Sequence, residues 1–290
     1  MAENMNIQWY PGHMTKTRRQ MEEDLKLVDA VCEIVDARIP IASRNPDIDS
    51  ICGNKPRIIV LNRMDLADPA ATKEWVRYFK VQGIMPVVTD CKSRKGINDF
   101  VPTVRTVLAE KITRNAETGM NKPVKIMVVG IPNVGKSTLI NQISGRKGAK
   151  AENRPGVTRG KQWVTVDSGL LLLDTPGILW PRFEDPQVGM KLAYTGAVKE
   201  QILDVEELAV FLMQLLWTYY PDAVKARYGI DCPEDATGYE LLEAAGRKRG
   251  FLMARAEVNT ERMAKVLLDE YRAGKLGKFT LEMPPKEENE

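Results

Sequence analysis

The sequence predicts an α/β fold with a mainly parallel sheet, followed by a small all-α domain. Three observations carry this. Short β-branched runs alternate with longer amphipathic stretches over the first 185 residues. Several runs are apolar nearly throughout, as strands covered on both faces are. After about residue 185 the strand-like runs stop and helical periodicity takes over.

The elements follow in order. A helix is expected at 15–27, then a strand in AVCEIVDA (30–37) and another in RIIVLN (57–62). A helix at 70–82, a strand in IMPVVT (84–89) and a helix at 97–113 come next. KIMVVG (125–130) reads as a buried strand feeding a helix at 136–145, and QWVTVD (162–167) and LLLLDT (170–175) complete the sheet. Asp204, with Glu207 three positions on, opens a helix in capping-box fashion. Its predicted apolar face is Leu208, Phe211, Leu212, Leu215, Leu216 and Tyr219. A helix at 238–249 follows. A last one starts near Asn259, buries Met263, Val266, Leu267 and Tyr271, and stops at Gly274. The division is an α/β domain at 1–185, a helical domain at 186–283 and a disordered tail at 284–290.

Composition bounds the function. Apolar residues make up 43%, enough for a core. Residues 1–185 carry 28 Lys/Arg against 21 Asp/Glu, while residues 186–290 carry 14 against 18. The mildly basic front half is compatible with phosphate-rich partners. The four cysteines form no CxxC pair, which argues against a zinc site or a disulfide framework and fits a reducing cytoplasm. No signal peptide is visible, and no apolar run approaches the ~20 residues of a membrane span.

The chemistry starts at GIPNVGKS, Gly130 to Ser137, between a strand and a helix. This is the GxxxxGK[ST] phosphate loop in its required context. Glycines let backbone N–H groups close around phosphate oxygens, and the helix start adds unpaired donors. The run Asn133, Val134, Gly135, Lys136, Ser137 and Thr138 is the predicted triphosphate contact. Lys136 reaches the terminal phosphates and Ser137 ligates Mg²⁺. LLLLDTPG places Asp174 where it can hold the Mg²⁺ shell and the Gly177 N–H where it can meet the γ-phosphate. Between them, RPGVTRG (154–160) offers one hydroxyl, Thr158, as a further Mg²⁺ ligand.

The base is read from LNRMDL. It puts Asn62, Arg63, Met64 and Asp65 at the C-terminal edge of the sheet, where α/β ligands bind. A carboxylate at Asp65 accepts from guanine N1–H and its 2-amino group. Adenine offers neither donor, which disfavours an ATPase. The pattern resembles the GTPase NKxD motif with Arg63 in place of Lys, and a planar guanidinium is able to stack on a base. TDCK (89–92) resembles the companion loop, with Asp90 and Cys91 as GTP-binding residues and the Cys91 amide facing the guanine oxygen. The base motifs precede the phosphate motifs, the reverse of the ordinary order. The fold is therefore read as a P-loop GTPase sheet in circularly permuted order.

The whole chain resembles the circularly permuted ribosome-biogenesis GTPase A family. The matching runs are WYPGHM, DARIP (36–40), LNRMD, GIPNVGKSTLIN, RPGVTRG and LLDTPGILWP. The resemblance implies a GTPase acting late on the large ribosomal subunit precursor, binding its rRNA, and stimulated by the particle. The chain is taken as monomeric.

His13 is the single histidine. Many GTPases orient the attacking water with Gln directly after DxxG; here that position is Ile178, which cannot hydrogen-bond. The resemblance places His13 near the γ-phosphate, so it is the candidate to orient the water. The competing reading is a helix cap or a contact to RNA phosphate. Asn133 resembles P-loop asparagines that hold K⁺. RNA is expected on Lys16, Arg18 and Arg19, and on residues 246–278, which hold nine basic and four acidic side chains. The alternative function is a GTP-gated RNA-binding placeholder whose hydrolysis is incidental.

Overall fold

The computed structural model describes residues 14–120, 122–145, 162–167, 169–175, 185–198 and 204–285; for residues 14–18 and 167 only the backbone is described. These fall into two compact units: an α/β unit, which includes residues 282–285, and a helical unit beginning at 185 and ending at 281.

The α/β unit runs α1 (Met14–Leu25), β1 (Ala30–Asp36), α2 (Ile48–Cys52), β2 (Arg57–Asn62), α3 (Pro69–Val81), β3 (Met85–Val88), α4 (Phe100–Val107), α5 (Ala109–Glu117), β4 (Val124–Gly130), α6 (Lys136–Ser144), β5 (Gln162–Asp167) and β6 (Leu170–Asp174). The sheet order is β3-β2-β1-β4-β6-β5, with β5 alone antiparallel. β1 is buried at every position, as its unbroken apolar run requires. One face packs Val31, Met127, Val129 and Leu173 against Met21, Leu25 and Ile48. The other packs Val35, Ile59 and Leu61 against Trp75 and Phe79 of α3. Asp68 caps α3 by accepting from the Ala70 and Ala71 amides, and Pro69 fits its first turn. Burying Trp75 and Phe79, 1% and 0% exposed, stabilises the unit by about 2–3 kcal/mol each.

The expected helix at 97–113 is broken. A 3₁₀ turn at Ile97–Asp99 leads into α4, and Leu108 (φ −108°, ψ 18°) separates α4 from α5. The break falls where core contact ends: α4 buries Phe100 and Val104, whereas α5 buries no residue. The five-residue α2 is too short to show periodicity and was not expected.

The chain runs outward from β1 to β2 and β3, then returns to the other flank of β1 as β4. This reversal between β1 and β4 opens a crevice at the strand C-termini. The register aligns those ends, with Ile34 opposite Gly130, Asp36 opposite Asn62 and Val128 opposite Asp174.

Glu282 docks on the α/β unit. Its carboxylate accepts from the amides of Ile41 (2.7 Å) and Ala42 (3.2 Å), and its carbonyl accepts from Trp75 Nε1 (2.9 Å). Glu282→Ala keeps the last bond and loses the first two. The expected loss is about 1 kcal/mol, read as a lower urea midpoint with unchanged slope.

The helical unit comprises α7 (Pro186–Tyr194), α8 (Val205–Tyr219), α9 (Pro221–Tyr228), α10 (Gly238–Lys248) and α11 (Thr260–Arg272). α7 and α9 were not anticipated, although Asp185-Pro186 carries the same cap-then-proline signal as Asp68-Pro69. Asp204 caps α8 through the Glu206 and Glu207 amides. The buried stripe of α8 is Leu208, Ala209, Leu212, Met213, Leu216 and Trp217, rotated from the expected face, so Tyr219 is 68% exposed. α8, α10 and α11 pack against one another. Gly238 lets α10 begin hard against it: a Cβ there would lie 2.1 Å from the Val210 carbonyl oxygen. α11 buries Met263, Ala264, Leu267, Leu268 and Tyr271, and Gly274 follows its cap at φ 69°. No helix among the described residues is long and apolar enough to cross a membrane.

Candidate functional site

The phosphate loop leaves β4 at Gly130 and enters α6 at Lys136. It must lie close against β1, since a Cβ on Gly130 would stand 2.6 Å from Ile34 Cγ2. Gly135 is doubly required: its φ is 106°, and a Cβ there would be 2.3 Å from Asn62 Nδ2. Asn133 takes a left-handed φ of 61°, which its side chain tolerates better than most. α3, α8, α10 and α11 carry side-chain caps; α6 begins after Gly135, which supplies none. The first-turn amides of α6 thus present partial positive charge to an anion. Ser137 and Thr138 stand half-buried in that turn.

Asn62 joins the two halves of the site. Its Nδ2 donates to the Val134 carbonyl (2.8 Å), and its Oδ1 accepts from Thr89 Oγ1 (3.2 Å) and the Cys91 amide (3.1 Å). The Met64 amide donates to the Thr89 carbonyl (3.1 Å), which closes the second side of the same junction. The Cys91 amide, expected at the guanine oxygen, thus has a structural task in fixing the Asn62 carboxamide. Asp90 folds into its own loop: Oδ1 accepts from the Lys92 (2.9 Å) and Ser93 (3.2 Å) amides. Burial alone would raise the Asp90 carboxyl, but the bonds from Ser93 and Lys92 hold it below its ordinary value. Asp65 is exposed at the sheet edge.

Asn62 is 3% exposed, so Asn62→Ala strands the Val134 carbonyl, the Thr89 hydroxyl and the Cys91 amide in a buried place. At about 1–3 kcal/mol per stranded group the two segments are expected to separate, lowering guanine-nucleotide affinity by about 10²-fold. Calorimetric titration with GDP measures this, and unchanged affinity would remove Asn62 from the role of junction.

Arg63 was read as a cation for stacking on the base. The structure gives its guanidinium protein partners: Nη2 donates to the Asn133 carbonyl (2.7 Å), and Nη1 lies 3.6 Å from Asp36 Oδ2. Its φ of 63° turns it back across the crevice. Asp36 and Arg38, quoted only within the DARIP run, form a buried bidentate pair, Nε to Oδ1 at 2.9 Å and Nη2 to Oδ2 at 2.8 Å. Burial would raise the Asp36 carboxyl, but Arg38 and then Arg63 hold it below its ordinary value. The missed signal was a carboxylate at the end of a buried strand, the same one that identified Asp174.

On the phosphate side, Lys136 Nζ donates to Asp174 Oδ1 (2.8 Å) and to the Thr175 carbonyl; the Thr175 hydroxyl donates to the Val128 carbonyl (2.8 Å). Lys136 and Asp174 are 6% and 2% exposed. The cation expected at the phosphates and the carboxylate expected at the metal therefore hold each other. Among the described residues no three His, Cys, Asp or Glu side chains cluster as a metal cage. One carboxylate, one hydroxyl and phosphate oxygens suit Mg²⁺, which keeps few protein ligands. His13, Thr158 and Gly177 lie outside the described residues, as do Ile178 and the runs WYPGH and RPGVTRG.

In the helical unit, the basic segment 246–278 divides. Arg249 bonds Glu270 (3.1 Å) and lies over Tyr228; Arg272 donates to the Tyr194 (3.0 Å) and Ala193 (2.7 Å) carbonyls. These two hold the fold. Arg247, Lys248, Arg255 and Arg262 are exposed.

A family model described as 50S ribosome-binding GTPase matches residues 125–227. That span opens on β4 and the phosphate loop, so the base-side residues 62–65 and 89–91 precede it. The chain is 49% identical to ribosome biogenesis GTPase A of Priestia megaterium, over 98% of this chain and 99% of that one. It is 32% identical to ribosome biogenesis GTPase A of Thermotoga maritima, over 96% and 95% of the two chains. Crystalline GNP-bound YlqF from T. maritima superposes with a TM-score of 0.64 at 28% identity, covering 93% of this chain and 98% of that one.

Proposed function

The chain belongs to the ribosome biogenesis GTPase A family, and from that membership we propose a GTP-dependent switch that binds the maturing large ribosomal subunit late in its assembly and leaves after hydrolysis. The reaction is GTP hydrolysis to GDP and phosphate. The observation that supports the reading best is the Asn62 junction, which brings a guanine-type edge and a phosphate loop to one crevice. In this reading Asp65 accepts from the guanine N1–H and 2-amino group, with Met64, Asp90 and Cys91 shaping that edge. The backbone of 133–138, with the Gly177 amide, surrounds the phosphates.

Ser137, Asp174 and Thr158 would hold Mg²⁺, which neutralises charge on the phosphates when bound. Lys136 turns from Asp174 to the terminal phosphates. Asn133 is assigned to K⁺, and faster hydrolysis in K⁺ than in Na⁺ is the check. His13 orients the attacking water in place of a glutamine, once particle contacts set the N-terminal segment. His13→Ala is expected to lower particle-stimulated hydrolysis by about 10²-fold or more while GTP affinity stays within twofold. Full stimulated activity in that variant would end the assignment.

The partner is the large-subunit precursor and its rRNA, met through the helical unit; the working form is a cytoplasmic monomer. Sedimentation with ribosomal subunits under GDP, GTP and a non-hydrolysable analogue tests the switch. Co-sedimentation is expected with the analogue and not with GDP. Equal binding under all three would favour the placeholder reading.

A further inference from the structure

The segment joining α10 to α11 is a short hairpin whose shape the GTPase reading does not use. Leu252 and Val258 form an antiparallel bridge, the Met253 amide donates to the Glu257 carbonyl (2.8 Å), and the Asn259 amide donates to the Phe251 carbonyl (2.7 Å). Its base is fixed. Val258 is buried against Gly246, where an added Cβ would lie 2.6 Å from Val258 Cγ1, and the Arg262 guanidinium lies 4.3 Å from the Phe251 ring centroid. Its tip is presented: residues 252–257 are all exposed, with Leu252 at 52% and Met253 at 49%.

The tip is also strained. Arg255 and Ala256 take consecutive left-handed conformations, φ 66° and 61°, which glycine would adopt without steric penalty. An arginine kept in a left-handed conformation on an exposed tip, where glycine would be relaxed, points to a use for the side chain at 255. Among the described residues neither Arg255 nor Lys248 is paired with a carboxylate. Arg247 and Arg262 stand on the flanking helices, Arg247 paired with Glu243, and Glu257 is the one acidic side chain of the tip. Leu252 and Met253, exposed on the same tip as Arg255, complement a nucleic acid with an unstacked base: apolar surface meets the base, the cation meets phosphate.

We infer that the hairpin 251–258 is an RNA-contacting element, with Arg255 on phosphate and Leu252 and Met253 against exposed bases of single-stranded or looped ribosomal RNA. This rests on the reading of the helical unit as the RNA-binding part.

The test uses the full chain, a thermal melt and anisotropy titrations against labelled large-subunit rRNA fragments at several salt concentrations. Ala256→Gly is expected to raise the helical unit's melting temperature by about 2–6 °C with RNA affinity unchanged. Arg255→Gly is expected to raise it similarly yet weaken RNA binding about tenfold, with the slope of log affinity against log salt smaller by about one. Arg255→Lys should keep affinity near wild type. Leu252→Ser with Met253→Ser should weaken binding with the salt slope intact. Arg255→Gly binding RNA with full affinity and slope would overturn the hairpin's role while leaving the RNA-binding reading in place. If wild type itself bound none of the fragments, both would fall, and the melts would then report strain alone.

Discussion

Lys136→Met is expected to abolish GTP hydrolysis and also to lower the stability of the α/β unit by about 3–5 kcal/mol, because it leaves the Asp174 carboxylate buried without its cation. Here the geometry makes a second demand, since Nζ and Oδ1 are 2.8 Å apart and both side chains are nearly sealed from water. The Asp174→Asn change should also destabilise, for the mirrored reason. The double variant Lys136→Met, Asp174→Asn removes both charges, so it should recover most of the lost stability and none of the hydrolysis. A double-mutant cycle by urea denaturation measures the coupling. If Lys136→Met alone unfolds at the wild-type midpoint, the pair is not a buried charge couple in solution.

Asp65→Asn is expected to change which purine the chain takes. In the proposed base contact the Asp65 carboxylate accepts two hydrogen bonds from guanine, N1–H and the 2-amino group. A carboxamide keeps one acceptor and turns a donor toward the 2-amino group. Losing one charge-assisted bond and opposing two donors amounts to about 3–4 kcal/mol, or about 10²–10³ in GTP affinity. Xanthine carries an oxygen where guanine carries the amine, so it offers the acceptor that asparagine needs. Xanthosine triphosphate should therefore bind the variant more tightly than GTP does, reversing the wild-type order. Competition titrations with GTP, XTP and ATP read this directly. Asp65 is exposed, so folding should be unaffected and the affinity ratio is interpretable. An unchanged ratio would move base recognition away from residues 62–65.

Much of the fold was legible. The six described strands stand within two residues of where apolar runs and β-branched content put them; for the central strands β1, β2 and β4 the reason is burial on both faces, which has to be written as an apolar run. The Gly274 stop is local chemistry and equally readable; the Asp-Pro starts of α3 and α7 are local too, but α7 was not expected from its own. The break at Leu108 was not, since Leu108 itself continues the helical pattern and only loss of contact with the sheet ends α4. The rotated stripe of α8 has a similar cause. Phe211 and Leu215 fit an apolar face, but packing against α10 and α11 selects Ala209, Met213 and Trp217 instead.

By itself the sequence determined the order of elements, the phosphate loop in its strand–loop–helix setting, and the reversed order of base and phosphate motifs, all properties of residues near one another along the chain. Tertiary structure alone decided the partners. Asn62 reaches the Val134 carbonyl across 72 positions, Arg63 turns to Asn133 and Asp36 rather than to solvent, and Lys136 closes on Asp174. Nor could composition tell that Arg249 and Arg272 are taken up by Glu270 and by the end of α7. Which cation satisfies which buried acceptor depends on distances between segments far apart in the chain and on how much water each group loses, and neither quantity exists before the chain has folded.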